Sequence, residues 1–217
     1  TPTEAIEHKH LRLGIAGLSK SRKTSVAATA DAPMFLSCGD NGWSSASKIL
    51  ADRDVPEPWL IEVLETSVTK PTAWDDFNRI IDLFRVGEPF GKETVIDPKN
   101  YQTLVVDHFT DAGRFAYNKG NAMPESAMNG FFKFGFYSDE YFQLLYKLAQ
   151  LGQKMSIVVI VQLEERKKRN KAGDVISSHL RPAIIGEAAE QEIPHWFDAL
   201  VGMQAGKEVR TGSGHRR

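Results

Sequence analysis

The stretch from Leu11 to Ser25, LRLGIAGLSKSRKTS, constrains this chain more than any other. An apolar run delivers the backbone to Gly17, a short polar loop follows, and Lys23 and Thr24 stand where a helix can begin. A loop joining a buried strand to a helix N-terminus turns several backbone N–H groups toward one point, where the helix dipole also favours an anion. Lysine brings charge to the outer groups of a polyphosphate, and a threonine hydroxyl can ligate Mg²⁺. Residues Gly17, Leu18, Ser19, Lys20, Ser21, Arg22, Lys23, Thr24 and Ser25 thus make up a candidate phosphate-binding loop. Arg22 stands in the place of the usual second glycine, so its side chain has to point outward. A basic surface turn would explain the loop residues equally well. The flanks favour the nucleotide reading: an apolar segment precedes the loop, and Val26, Ala27 and Ala28 suit a buried helix.

Short apolar runs recur along the rest of the chain. Leu11–Ala16, Met34–Cys38, Leu60–Leu64, Thr103–Val106 and Ile157–Val161 read as strands whose aliphatic content suits parallel pairing covered on both faces. Helical spacing appears between them. Thr72 to Asp75 resembles a capping box ahead of Trp74, Phe77, Ile81 and Phe84. Ser138 stands as the cap of a second helix with Tyr141, Leu144, Leu145, Leu148 and Leu151 on one stripe and Gly152 at its end. The alternation predicts an α/β fold, a mostly parallel central sheet flanked by helices on both faces. The expected organisation is an N-terminal extension over 1–10, one domain over 11–205 and a polar tail over 206–217.

In such sheets ligands bind beyond the carboxyl ends of the strands. One run closes with Leu104-Val105-Val106-Asp107. Asp107 reads as a helix cap or turn residue by itself, and as a Mg²⁺ partner once a phosphate loop lies upstream. Asp40, just past Cys38, is placed to orient a water against a γ-phosphate, although Gly39-Asp40-Asn41-Gly42 also satisfies ordinary turn chemistry. Gln162, closing the last strong run, can hydrogen-bond a phosphate or the attacking water, or be a plain polar terminus. Glu164 to Asp174 reads as a charged loop with Arg166, Lys167, Lys168, Arg169 and Lys171. It is either solvated surface or a contact for a nucleic-acid backbone.

Other classes are excluded or unsupported. A net charge of −1 leaves no global basic field, so nucleic-acid contact has to be local. The single cysteine, Cys38, rules out an internal disulfide and fits a reducing, cytoplasmic compartment. The longest apolar run is too short to span a bilayer, so no membrane is expected. The six histidines form no metal-ligand spacing.

The motif GLSKSRKTS resembles the lysine-containing phosphate loops of phage RecA-like ATPases, and TLVVDHFTD resembles their Walker B strand. RPAIIGEAAEQEIPHWFDALVGM resembles the closing segment of phage nucleotide-binding proteins of the AAA ATPase type. The resemblance covers roughly Leu11 to Met203 and implies a RecA-like P-loop core using ATP and Mg²⁺. It further implies action on single-stranded DNA in recombination or annealing. Carried onto this chain, Lys23 grips the β- and γ-phosphates, while Thr24 and Asp107 hold the metal. Asp40 falls near the catalytic acid, Gln162 matches the glutamine of the sensor strand, and Arg166 to Lys171 falls where DNA binds. Lys20 adds a second cation near the γ-phosphate. Three functions stay open: a DNA-directed ATPase, for which an oligomer whose neighbours complete the site is one form; a nucleotide or small-molecule kinase; and a non-hydrolysing nucleotide-binding assembly protein.

Overall fold

Seven strands build one sheet among the described residues, and their side-chain parity explains how it is covered. The computed structural model describes residues 10–39, 43–67, 69–123, 130–170, 173–184 and 193–204, with backbone alone for 130–134. The strands are β1 (Arg12–Gly17), β2 (Pro33–Ser37), β3 (Leu60–Glu62), β4 (Thr103–Asp107), β5 (Ser156–Arg169), β6 (Val175–Pro182) and β7 (Ala199–Met203). Their order is β3-β2-β4-β5-β1-β7, every neighbouring pair parallel, with β6 antiparallel on the far part of β5. The helices are α1 (Lys23–Ala27), α2 (Ser44–Leu50), α3 (Ala73–Val86), α4 (Phe109–Ala122) and α5 (Gly130–Leu151).

Alternate residues of β1, β2, β4 and the first part of β5 enter different cores. Ile15, Phe35, Val105, Val158 and Ile160 pack with Ala27, Ala28, Ala46 and Leu50, which belong to or border α1 and α2. Ala16, Leu36, Leu104, Val106, Val159 and Val161 pack on the other face with the side chains of α3, α4 and α5. Near-continuous apolar strands are what a sheet buried on both sides requires. The expected α/β architecture with a mostly parallel sheet is therefore the one observed.

The two helical stripes are buried as expected. Trp74, Phe77, Ile81 and Phe84 are at most 2% exposed, and each such side chain stabilises the fold by roughly 1.5–3 kcal/mol. Tyr141, Leu144, Leu145, Leu148 and Leu151 likewise face the core. Their starts differ from expectation. Thr72 precedes α3 but its side chain makes no capping hydrogen bond. Ser138 lies inside α5, which begins eight residues earlier at Gly130. The helix extends because its apolar stripe already begins upstream: Tyr137 is 1% exposed and its ring lies 5.5 Å from that of Tyr141, tilted by 36°.

The larger correction concerns Arg166, Lys167, Lys168 and Arg169, expected on a loop. β5 continues through all four, and β6 pairs with it from Leu163 opposite Pro182 to Lys168 opposite Ser177, after which the register shifts by one residue to put Arg169 opposite Val175. No apolar alternation marks this segment; its partner strand makes it a strand. Glu164 accepts from Arg181 at 2.6 Å and Glu165 from Ser178 at 2.5 Å across the ladder. Gly173, at φ 91°, supplies the left-handed residue of the connecting turn. Asp40 and Lys171 lie outside the described residues, as do 1–9 and 205–217. Among the described residues no helix is long and apolar enough to cross a membrane.

Candidate functional site

The carboxyl edge of the sheet gathers most of the residues singled out above. β1 ends at Gly17, which lies opposite Gln162 of β5 on one side and Met203 of β7 on the other. A Cβ on Gly17 would stand 2.5 Å from Ser21 Oγ and 2.6 Å from the Met203 carbonyl, so close packing excludes any larger residue. The chain then turns through Leu18 to Arg22, with the Ser21 N–H donating to the Leu18 carbonyl at 3.3 Å. Lys20 and Arg22 adopt φ values of 63° and 64°, the left-handed region that glycine usually supplies in such loops. Leu18, Ser19, Lys20 and Arg22 are exposed, Ser25 is half-buried and Ser21 is buried. Arg22 thus points outward, as the missing glycine required.

Lys23 opens α1 and is 5% exposed. Its ammonium donates to the Gly17 carbonyl at 3.0 Å and the Leu18 carbonyl at 2.9 Å, so it closes the loop on itself. Burial lowers its pKa, opposed by the charge of Asp107. Thr24 Oγ1 donates to Asp107 Oδ2 at 3.0 Å across 83 residues of chain. That contact spans β5, which separates β1 from β4.

Asp107 is fully buried, and its second oxygen, Oδ1, has no hydrogen-bond partner. His108 Nε2 is 3.2 Å from that oxygen, without hydrogen-bond geometry. Burial raises the Asp107 pKa, against the lowering effects of His108, Thr24 and Lys23, while Asp111 adds to the rise. An orphaned carboxylate oxygen beside a buried lysine and a threonine hydroxyl forms a donor set for a hard cation and its anionic partner. No group of three or more His, Cys, Asp or Glu among the described residues could hold a metal alone. A cation held here would take its remaining oxygens from water or from a ligand such as phosphate. Cys38 is buried and its thiol is pushed well up, chiefly by burial, which disfavours thiolate chemistry.

Gln162 sits on the same edge, its backbone N–H donating to Thr110 Oγ1 at 3.2 Å. The basic residues do not converge on the loop. Arg166 is four residues farther along β5, roughly 14 Å at strand rise. Even-numbered residues of this strand share the side of Val158 and Ile160, which is the α1 side. Arg166 and Lys168 therefore follow Gln162 on that face, beside Arg181 and His179 of β6. Lys167 and Arg169 lie on the opposite face, where Lys167 pairs with Glu165 at 3.3 Å and Arg169 donates to the Gly173 carbonyl. Asp111, in the first turn of α4, carries no sequence signal beyond that of an acid at a helix start, yet its charge reaches Asp107.

A family model described as an AAA domain matches residues 9–217. No curated protein matches the sequence. Among solved structures the chain is similar to a prototypical ATPase from the type III secretion system of pathogenic bacteria, with 18% identity and a TM-score of 0.46. The match covers 89% of this chain and 52% of that one, so the chain spans about half the length of that protein.

Proposed function

This chain belongs to the AAA domain family, and from that premise we propose that it is a Mg²⁺-dependent ATPase of the RecA-like phage type, acting on single-stranded DNA. The hydrogen bond between Thr24 and Asp107 carries the reading, because it joins the loop hydroxyl to a buried carboxylate whose other oxygen accepts no hydrogen bond.

The residues fit the nucleotide and its metal. Lys23 would exchange the Gly17 and Leu18 carbonyls for β- and γ-phosphate oxygens, a stronger acceptor for a charge that burial already disfavours. Thr24 and Asp107 would hold Mg²⁺, which when bound supplies charge neutralisation at the transferring phosphoryl group. Backbone N–H groups of residues 18–24 would cradle the phosphates, with Lys20 a second cation near the γ-phosphate. Asp40 and Gln162 are assigned to orienting the attacking water, Gln162 because it stands opposite Gly17 in the β1–β5 ladder.

The DNA reading rests on the β5–β6 ribbon. Its α1-side face carries Arg166, Lys168 and Arg181 against Glu164, and the other face Lys167 and Arg169 against Glu165. The first face has the larger cationic excess and is continuous with Gln162, so it is the one assigned to the phosphate backbone. Neighbouring subunits would complete the site if the protein assembles into an oligomer.

Calorimetry with ATP and Mg²⁺ tests the core of this reading. Lys23→Ala is expected to abolish binding, and unchanged affinity would defeat the assignment. Turnover measured with and without single-stranded DNA, and beside small-molecule acceptors, then separates a DNA-directed ATPase from a kinase. DNA that leaves turnover unchanged removes the DNA part of the proposal.

A further inference from the structure

Four residues beyond Asp107, the carboxylate of Asp111 sits where an acidic side chain ordinarily complements a helix dipole. Its surroundings add a second role. α4 springs from the end of β4, and β4 lies beside β2 with Ser37 opposite Asp107. Gly39, two residues past Ser37, therefore meets the first turn of α4: a Cβ there would stand 3.1 Å from Asp111 Oδ2. Oδ1 of the same carboxylate pairs with Arg114 at 3.0 Å. Arg114 is 68% exposed against 28% for the acid, so the pair approaches from the solvent side. One oxygen is engaged outward, and the other lies beside Gly39, just past the end of β2, the strand whose neighbour β4 carries Asp107 at its end.

The negative charge of Asp111 adds to the burial that disfavours the ionised form of Asp107, whose Oδ1 accepts no hydrogen bond and has only His108 Nε2 3.2 Å away. A divalent cation relieves that cost. Magnesium keeps several of its waters and is typically held by one or two carboxylates together with substrate phosphates. Asp107 is one such carboxylate, and Asp111 is placed to serve as the other.

We propose that Asp111 is a positioning residue of the nucleotide site, accepting hydrogen bonds from water in the hydration shell of the cation that Thr24 and Asp107 hold. This rests on the Mg²⁺-nucleotide reading above and extends it to a residue on α4. Gly39 leaves the space beside Oδ2 open, and a Cβ there would press on the carboxylate, which would have to give by a few tenths of an ångström.

ATP binding followed by calorimetry over a Mg²⁺ titration, and again in EDTA, tests this. Asp111→Asn keeps the shape against Gly39 and removes the charge. It is expected to leave ATP affinity in EDTA within twofold of wild type. It is also expected to raise the Mg²⁺ midpoint about tenfold, equivalent to ~1.4 kcal/mol. An unmoved midpoint overturns the proposal, as does an equal loss in EDTA, which would mark a structural role. Arg114→Gln gives an independent sign: freeing the carboxylate from its cation should lower the midpoint, and a rise contradicts the proposal even if Asp111→Asn fails to fold. Wild-type protein that binds no ATP would instead remove the nucleotide reading itself.

Discussion

Replacing Arg22 with glycine should stabilise this protein, although it deletes a whole side chain. Arg22 precedes α1 at φ 64° and ψ 25°, and its side chain is exposed and caps nothing. An L-residue held in the left-handed region costs about 1–2 kcal/mol. Glycine removes that cost but gives the unfolded chain more freedom, worth about 0.5–1 kcal/mol in the other direction. The net expectation for Arg22→Gly lies between about 0 and 1.5 kcal/mol of gain, centred on about 0.75, which in a domain of this size raises Tm by about 2–3 °C at the centre. Arg22 also lies near Lys20 and Lys23 in sequence, so losing its charge can raise stability by itself. Arg22→Ala is the control, since it removes the charge and keeps the Cβ. Thermal unfolding by circular dichroism, without nucleotide and at physiological salt, should place the glycine variant above the alanine variant. Equal Tm values, or a glycine variant below wild type, would refute the backbone argument and leave only charge.

Asp107→Asn is expected to raise nucleotide-free stability at neutral pH while removing the Mg²⁺ dependence of ATP binding. Burial above all holds this carboxyl above its ordinary value, so between that value and the raised one the folded protein binds more protons than the unfolded chain. Stability then falls as pH climbs through the window, and the ionised carboxylate is a net cost above it. A series of melts should show the advantage of the asparagine variant at pH 7 and its disappearance below the ordinary carboxylate range; a variant less stable at pH 7 contradicts this sign. On the ribbon, neutralising Arg166 and Lys168 together should flatten the logarithmic salt dependence of single-stranded DNA binding by about 1.4, taking a slope of about 0.7 per phosphate contact. Neutralising Lys167 and Arg169 should change it far less, and equal effects would reject the assignment of faces.

What could be read from the sequence, and what could not, divides along one physical line. β1, β2, β4 and the buried part of β5 announce themselves because each is an apolar run with its own signal, and Lys23, Thr24 and Asp107 follow from their places at the ends of such runs. α4 shows no comparable stripe. Its buried face is built partly from Ala112, Gly113 and Ala116, residues that are small because α5 lies close: a Cβ on Gly113 would meet Tyr141 at 3.0 Å. The ribbon was equally hidden, since residues 164–169 become a strand only through β6, and the cross-strand partner of Glu164 lies 17 positions away. Asp111 is the sharpest case. Locally it is an acid in a first helical turn, fully explained by the dipole. Only the adjacency of β2 and β4 brings Gly39 against it and Asp107 within reach of its charge. A residue whose role depends on its own strand or helix is therefore legible from spacing. One whose role depends on which strands are neighbours becomes legible only when the sheet order is known, and the water-holding role proposed for Asp111 is of that second kind.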